Sequence, residues 1–261
     1  MRTPVPADLV ATLCGGRRII SVVGAGGKKT SMYALAGAVS GRVALTSTAH
    51  MYLYDQALVD VVELVEPHHD VLPRFPDARV VGYGGLALDT PRVAGLTAAQ
   101  VAALAADPDF ALVVIKADGA KGRWVKAPAD YEPIVPPCTE RVLCFASAQV
   151  IGRPLDDTIA HRPALIAAAT GAAPGAPLTV EHIGRLLASP LGSMKGLDAH
   201  EVLPVLNMVD DAVVERAARA AAHLALELTT RFDTVVLASL RHGRIVDVVT
   251  RGSAGGARVS A

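Results

Sequence analysis

The sequence predicts an α/β fold with a mostly parallel central sheet, and three observations lead to this prediction. Short runs rich in valine and isoleucine recur along the chain, a glycine-rich loop follows the first of them, and a helical segment separates it from the second. A strand, a helix and a strand in this order normally place the two strands parallel in one sheet. The chain has 261 residues, of which 51% are apolar, and this is enough to bury a large core.

The composition excludes several classes of protein. With 51% apolar and 19% charged residues, the chain is too apolar and too weakly charged for intrinsic disorder. No run approaches the roughly 20 apolar residues of a transmembrane helix, and residues 1–8 lack the apolar stretch of a signal peptide. The three cysteines have no CxxC spacing, which argues against a zinc site or a disulfide framework. We therefore expect a globular protein of the cytoplasm with no membrane partner.

The first half of the chain is predicted to contain a strand–loop–helix–strand unit followed by further strands. Apolar, β-branched runs indicate the strands, and Thr97 with Gln100 has the pattern of a capping box at the start of a helix. The predicted elements are a strand over 18–23, a helix over 32–39, strands over 42–46, 59–65 and 78–82, a helix that begins near 97, and a strand over 111–115.

The second half is predicted to continue the α/β pattern around a helical insert. The stretch from about 150 to 197 is helical and rich in loops, and we expect it to form this insert. Residues 1–250 are expected to form a single domain, and 251–261 a frayed tail. The predicted elements on either side of the insert are a strand over 141–146, a strand over 202–207, a helix over 212–229, and strands over 234–238 and 244–249.

Residues 24–31, Gly-Ala-Gly-Gly-Lys-Lys-Thr-Ser, have the composition of a phosphate-binding loop. Glycines let backbone N–H groups turn toward phosphate oxygens, a lysine adds a full positive charge, and a hydroxyl can hold Mg²⁺. The loop departs from the pattern GxxxxGK[ST], because Lys29 follows Gly27-Lys28, and it resembles the shorter GxxGK[ST] loop with one extra lysine. Either Lys28 or Lys29 is then the phosphate lysine, and Thr30 is the expected Mg²⁺ ligand. Both lysines are expected to be exposed.

Two other interpretations of this loop are less favoured. A dinucleotide-binding fingerprint, GxGxxG, would require glycine at position 29, where Lys29 stands. A tight glycine turn with two exposed lysines would need no ligand. The position directly after a buried strand favours phosphate binding over both.

Residues at the ends of neighbouring strands are further candidates, because parallel strands present their carboxyl ends at one edge of the sheet. Asp118 follows the strand over 111–115 and is the candidate metal ligand and catalytic carboxylate. Thr48 and His50 follow the strand over 42–46 and are candidate nucleotide contacts. Turn formation is the alternative for Asp118 and Thr48, and a structural role is the alternative for His50. With these residues the prediction becomes a three-layer P-loop NTPase-like fold with a mostly parallel sheet and a helical insert.

Residues 116–126 carry four basic residues and one acidic residue, a net charge of +3. Gly119 and Gly122 allow a close approach of the backbone, and Lys121 and Arg123 suit an anionic ligand. The whole chain has a formal net charge of zero. This local excess therefore predicts binding of a small anion, either a second ligand or the terminal phosphate of the nucleotide, and not of a nucleic acid.

A series of motifs occurs in order between about residues 8 and 245. The motifs are Gly24-Ala-Gly-Gly-Lys28, Thr46-Ser-Thr-Ala-His-Met51, Ala117-Asp-Gly-Ala-Lys-Gly-Arg123, Lys126-Ala-Pro-Ala-Asp-Tyr-Glu-Pro133, Gly152-Arg-Pro-Leu-Asp156, His161-Arg-Pro163 and Leu206-Asn-Met-Val-Asp210. The series resembles the YqeC family, whose members are described as selenium cofactor biosynthesis proteins. The resemblance implies a role as an accessory to selenium-dependent molybdenum hydroxylases.

Two positions depart from the pattern of that family. Lys116 stands where the family usually has an acidic residue, which leaves Asp118 as the candidate metal ligand. Met208 stands where the family has a lysine, in a motif similar to the NKxD motif of GTPases, and this weakens the prediction of guanine binding. Asn207 and Asp210 remain candidates for contacts to a base. A strand end with Asp210 near a helix N-terminus is the alternative.

Three functional hypotheses follow. The first is a P-loop protein that hydrolyses ATP or GTP with Mg²⁺ during maturation, or selenium-cofactor insertion, of a selenium-dependent molybdenum hydroxylase. The second is an ATP-dependent transferase or ligase acting on a selenium or cofactor species, and the third is a non-catalytic chaperone that binds nucleotide or cofactor. The expected partners are a nucleoside triphosphate and a molybdenum hydroxylase or its maturation proteins.

The candidate site residues fall into three groups. The catalytic candidates are Lys28, Lys29 and Asp118, and the candidate metal ligands are Thr30 and Asp118. The candidate cofactor-binding residues are Gly24, Ala25, Gly26, Gly27, Lys28, Lys29, Thr30, Ser31, Thr48, His50, Lys121, Arg123, Asn207 and Asp210.

Overall fold

The structure is a computed structural model that describes residues 7–69, 74–87 and 92–252. Residues 253–261 of the predicted tail lie outside this part of the chain. None of the helices within it is both long and apolar enough to cross a lipid bilayer. The α-helices are α1 (Ala7–Cys14), α2 (Lys28–Ala38), α3 (Ala98–Ala106), α4 (Pro163–Thr170), α5 (Val180–Ala188) and α6 (Ala212–Leu228).

The strands form one large sheet and two short strand pairs. They are β1 (Ile19–Gly24), β2 (Arg42–Ser47), β3 (Met51–Tyr52), β4 (Val61–Val65), β5 (Val80–Gly85), β6 (Arg92–Val93), β7 (Phe110–Lys116), β8 (Val125–Lys126), β9 (Arg141–Ser147), β10 (Ala160–His161), β11 (Glu201–Asn207), β12 (Thr234–Ser239) and β13 (Arg244–Thr250). The pairs are β8 with β10, and β3 with β6.

Within the described residues the large sheet has nine strands in the order β13-β12-β11-β9-β1-β7-β2-β5-β4. Every neighbouring pair is parallel except β12 and β13, which run antiparallel at one edge. The predicted α/β class and mostly parallel sheet are confirmed. β1 lies near the middle of the sheet, between β9 and β7, so the loop after β1 has strand ends on both sides.

Helices cover both faces of the sheet and give three layers. Along β1, Ile20 and Val22 pack in the core cluster that contains residues of α1 and α2. The neighbouring side chains point to the opposite face, where Val23 packs in the cluster that contains residues of α5 and α6, and Ile19 packs in the one that contains α3. Because both faces are covered, the central strands are continuous apolar runs rather than alternating ones.

The helices that the sequence predicted are confirmed, and one begins earlier than expected. α2 begins at Lys28 rather than at 32, because Gly27 takes the N-cap position with a φ of 119°. The capping box at α3 is confirmed, with Thr97 accepting a hydrogen bond from the Gln100 N–H and the Gln100 side chain accepting one from the Thr97 N–H.

The segment over 150–197 contains α4 and α5. Ile183, Leu186 and Leu187 of α5 are buried in the same cluster as apolar residues of α6, so this helix is part of the layer that covers the sheet. α6 packs close because its buried face is built from alanines, such as Ala218 and Ala222. The boundaries proposed for a single domain stay a prediction.

Buried polar side chains mark one edge of the sheet. Ser47, Asp118, Ser147, Asn207 and Ser239 lie at or just after the carboxyl ends of β2, β7, β9, β11 and β12, and each is at most 2% exposed. Buried polar groups need partners, so these side chains must bond to neighbouring loops. This edge is also where α/β proteins bind ligands.

Candidate functional site

The glycine loop after β1 is shaped by close contacts with its neighbours. Gly24 and Gly27 have φ values of 88° and 119°, which favour glycine. A Cβ atom on Gly24 would overlap the Phe145 carbonyl, and one on Gly27 would overlap the side-chain amide of Asn207. These glycines are therefore required by both the conformation and the packing of the loop.

Part of the loop backbone is already hydrogen-bonded within the fold. The N–H of Gly24 donates to Asp118 Oδ2 at 2.9 Å, and the N–H groups of Ala25 and Gly26 donate to the carbonyls of Phe145 and Arg123. The N–H groups over 27–30, at the start of α2, have no such partner among the described residues. A helix N-terminus with free N–H groups attracts an anion, so this end of the loop is the part that has backbone donors available for a ligand.

The two loop lysines have different surroundings. Lys28 is only 5% exposed, and its Nζ lies 2.9 Å from Asp118 Oδ1 and donates to the Gly24 carbonyl. The expectation that both lysines are exposed is wrong for Lys28, because its ammonium group turns back under the loop to reach a buried carboxylate. Lys29 is half-buried and donates to the Leu53 carbonyl at 2.7 Å. Burial lowers the pKa of both lysines.

Asp118 begins a series of ion pairs beneath the loop, which we call the buried ion-pair chain. Its Oδ1 pairs with Lys28, and its Oδ2 lies 2.9 Å from the Nζ of Lys126. Lys126 also pairs with Glu132 at 2.7 Å, and Glu132 pairs with Arg162 at 2.6 Å. The chain thus alternates positive and negative groups, Lys28–Asp118–Lys126–Glu132–Arg162. It connects the glycine loop to the start of α4.

The pKa of Glu132 is lowered by its neighbours in the buried ion-pair chain. Although burial raises the pKa of the Glu132 carboxyl, hydrogen bonds from Lys126 and Arg162 outweigh burial and lower it to about 2. Glu132 is therefore ionised at every physiological pH and keeps both cations in place.

A cavity of about 690 Å³ opens above the buried ion-pair chain. Its described lining includes seven lysines and arginines but only two carboxylates, so it favours an anionic ligand. The charged lining residues are Lys28, Lys29, Arg92, Lys116, Asp118, Lys121, Arg123, Glu132 and Arg162.

Strained backbone is concentrated around this cavity. In the described ranges the non-glycine residues with positive φ are Lys121 (47°), Arg162 (63°) and Met208 (62°), and all three line the cavity. Such conformations are unfavourable for residues with side chains and cluster at functional sites. Their shared location independently marks the cavity as the candidate site.

Aromatic side chains line one side of the cavity. The guanidinium of Arg162 lies 5.7 Å from the ring centre of Tyr131 and donates to its hydroxyl. The guanidinium of Arg153 lies 4.8 Å from the ring centre of Trp124, another lining residue. This side of the cavity thus offers flat surfaces next to positive charge.

The structure brings most of the predicted site residues to the cavity. The predicted residues that line it are Ala25, Gly26, Gly27, Lys28, Lys29, Thr30, Thr48, His50, Asp118, Lys121 and Arg123. Gly24 and Ser31 do not line it: Ser31 is buried, and its hydroxyl donates to the Lys28 carbonyl. Asn207 and Asp210 are not among the lining residues, although in the sequence they lie on either side of the lining residue Met208.

Several cavity residues were missing from the predicted site, chiefly Lys116, Glu132 and Arg162. Burial and the neighbouring Lys28 lower the pKa of Lys116 to about 8. The position of Lys116 at the end of β7 was a sequence signal for it. The signal for Glu132 and Arg162 was weaker, since it consisted only of their place in motifs far apart in the chain.

The described residues offer few ligands for a metal ion. No three histidine, cysteine or acidic side chains among them are grouped to hold one. The predicted pair is Thr30, which is exposed at the start of α2, and Asp118, which two lysines already neutralise.

Sequence comparison identifies the family to which this site belongs. A family profile described as YqeC protein matches residues 20–164, more than half of the chain. The chain belongs to the YqeC family. The YqeC match contains the glycine loop and the whole buried ion-pair chain, whereas Asn207 and Asp210 lie beyond it.

One curated relative has a comparable length. The chain is 29% identical over 199 residues to the uncharacterized protein YqeC of Escherichia coli (strain K12), and the match covers 74% of this chain and 77% of that YqeC protein. No solved structure matches the chain.

We predict that Asp118→Asn destabilises the protein by about 3 to 5 kcal/mol, because it leaves buried Lys28 and Lys126 without their shared countercharge. Urea unfolding followed by circular dichroism measures the change. The control is Asp130→Asn, which breaks an exposed ion pair with Lys195 and should have little effect. An Asp118→Asn protein as stable as the wild type would contradict the role given to this carboxylate.

We predict that stability falls between pH 6.5 and pH 4 because of His161. Burial and the nearby Arg162 and Lys126 lower the pKa of His161 from 6.5 to about 4. The unfolded chain therefore binds a proton more readily than the folded one, and the free energy of unfolding decreases as the pH falls through this window. In urea unfolding measured over this pH range, His161→Asn should reduce the dependence of the free energy of unfolding on pH. His223→Asn on α6 should retain the wild-type dependence. Equal slopes in both variants would disprove the assignment.

Proposed function

We propose that the protein binds a nucleoside triphosphate, ATP or GTP, and hydrolyses it with Mg²⁺. The observation that carries the proposal is the group of unpartnered N–H groups over 27–30, which face a strongly basic cavity beside Lys28. A chain of phosphates is the ligand that suits a helix N-terminus, a lysine and several further cations together.

Binding of the phosphates would change the partners of Lys28. In the free protein its ammonium group is shared between Asp118 and the Gly24 carbonyl. A phosphate carries more negative charge than a carboxylate and would compete for this ammonium group. Asp118 would keep Lys126 and the Gly24 N–H when Lys28 turns to the ligand, so the exchange leaves no buried charge alone.

Binding of Mg²⁺ would depend on the same movement of Lys28 from Asp118 to the phosphates. Thr30 and Asp118 are the residues that would hold the ion, since a hydroxyl and a carboxylate are ligands that Mg²⁺ accepts along with water and phosphate oxygens. When bound, Mg²⁺ neutralises charge on the phosphates. Two lysines neutralise Asp118 in the free protein, so we expect Mg²⁺ to enter with the nucleotide and not before it.

The contribution of the protein itself would be positioning and charge stabilisation. Lys28, Lys29 and Lys116 line the cavity near the start of α2 and would stabilise negative charge that develops on the transferred phosphoryl group. The family resemblance supports placing this activity in maturation, or selenium-cofactor insertion, of a selenium-dependent molybdenum hydroxylase. Release of inorganic phosphate from ATP or GTP would distinguish it from a chaperone that only binds nucleotide.

A second candidate function is transfer of a phosphoryl or nucleotidyl group to an anionic acceptor. The observation that favours it is a group of cations in the cavity lining, Lys121, Arg123 and Arg162, which line it together with the aromatic residues Trp124 and Tyr131. A nucleotide bound at α2 would leave these groups for another ligand. Formation of nucleoside diphosphate without an equal amount of inorganic phosphate, or release of pyrophosphate, in either case only with an added acceptor, would support transfer over simple hydrolysis.

We predict that Lys28→Met weakens binding of the preferred nucleotide by about 10- to 100-fold, the loss expected for one charged hydrogen bond. The fold should persist because Asp118 keeps Lys126. Isothermal calorimetry with ATP and with GTP measures the affinity. Lys195→Met, which lies outside the cavity lining, is the control and should bind normally. Unchanged affinity in Lys28→Met would exclude Lys28 as the phosphate lysine.

We predict that the double variant Lys121→Glu/Arg123→Glu weakens binding of inorganic phosphate to the nucleotide-saturated protein by at least about tenfold. The chain contains a single tryptophan, Trp124, which lines the cavity, so its fluorescence reports the titration. Arg216→Glu/Arg244→Glu changes the same charge on exposed positions and should have no effect. Equal phosphate binding in both double variants would disprove the second anion site.

A further inference from the structure

The turn after β11 is attached to the glycine loop after β1 by one side chain. Asn207 is 2% exposed, and its Nδ2 donates to the Gly26 carbonyl at 2.8 Å. Its Oδ1 accepts a hydrogen bond from the Leu240 N–H at 3.0 Å, just after β12. The ends of β11 and β12 are therefore fixed relative to the start of α2, and whatever binds there lies next to the phosphates.

Asp210, at the end of this turn, is held in one orientation. Its Oδ1 accepts a hydrogen bond from the Ser239 hydroxyl at 2.5 Å, and its Oδ2 accepts one from the Gln149 amide at 2.9 Å. The ring of His242 lies against the same hydroxyl, with Nδ1 2.8 Å from Ser239 Oγ. The carboxylate nevertheless keeps 36% of its surface exposed. It is thus fixed by neighbours and still free to accept further hydrogen bonds.

We propose that Asp210 binds the base of the nucleotide and that this base is guanine. Guanine presents two adjacent donors, N1–H and the 2-amino group, which match the two oxygens of a carboxylate. Adenine presents an unprotonated N1 at the same place, whose lone pair would face a negative charge. Selectivity then comes from repulsion of adenine as well as attraction of guanine. The inference rests on the proposed binding of a nucleoside triphosphate at α2.

Met208 gives the base a surface to pack on. Met208 lies two residues before Asp210 and lines the same cavity as the glycine loop. It therefore lies between the proposed phosphate site and Asp210. Its sulfur accepts a contact from the Ser147 hydroxyl at 3.1 Å, which holds the side chain in place. A polarizable thioether packs well on aromatic rings. Compared with the lysine that the family has at this position, Met208 lacks the positive charge but can still pack against a base.

Calorimetry with GTP, ITP, XTP and ATP tests the inference on the full chain. The wild type should bind GTP about 100-fold more tightly than ATP, because two charged hydrogen bonds are at stake. ITP, which keeps N1–H but lacks the 2-amino group, should fall between them. Asp210→Asn should lose GTP affinity by a similar factor and gain XTP affinity, since the amide N–H can donate to the 2-oxo group of xanthine.

The neighbouring Asp211 provides a matched control. It caps α6 by accepting hydrogen bonds from the N–H groups of Val213 and Val214, so Asp211→Asn makes the same change one residue away and should preserve GTP preference. Equal affinity of the wild type for ATP and GTP, or unchanged GTP affinity in Asp210→Asn, would overturn guanine recognition while leaving the proposed function intact. Binding of none of the four nucleotides would overturn the proposed function and this inference together.

Discussion

The rest of the site depends on the position of one carboxylate between two lysines. Asp118 holds the glycine loop after β1 through the Gly24 N–H and Lys28, and it holds the loop after β7 through Lys126. Taking charged groups out of water is unfavourable unless each has a partner, so these groups fix one another in position. Glu132 extends the arrangement to α4. Four separate parts of the chain are thereby joined beneath one cavity.

This arrangement explains why the cavity is basic although the whole chain is neutral. The carboxylates of Asp118 and Glu132 lie at the floor and are already paired, whereas Lys116, Lys121 and Arg123 line the space above them. Among the described residues these three cations form no ion pair of 4 Å or less, so they are available to an anionic ligand. The left-handed backbone at three lining residues fits this interpretation, since strain is tolerated where it positions groups for a ligand.

The sequence predicted the elements that depend on local patterns and missed those that depend on distant contacts. β-branched runs identified the central strands, and the glycine loop identified the start of α2 to within one turn. The burial of Lys28 was not predictable, because it depends on a carboxylate 90 residues away. Arg162 was noted in its motif but was not chosen as a site residue, since its pairing with Glu132 joins parts of the chain 30 residues apart. Whether these residues bind a nucleotide stays a prediction.

One hydrogen bond makes the two sides of the cavity mutually dependent. The Gly26 N–H of the glycine loop donates to the carbonyl of Arg123, which belongs to the basic loop over 116–126. A ligand that moves either loop changes the energy of this shared bond and hence the affinity of the other loop for its own ligand. Thermodynamic linkage requires this effect to be reciprocal, by the same factor in both directions. If the protein binds a nucleotide and a second anion as proposed, each of them would change the affinity for the other.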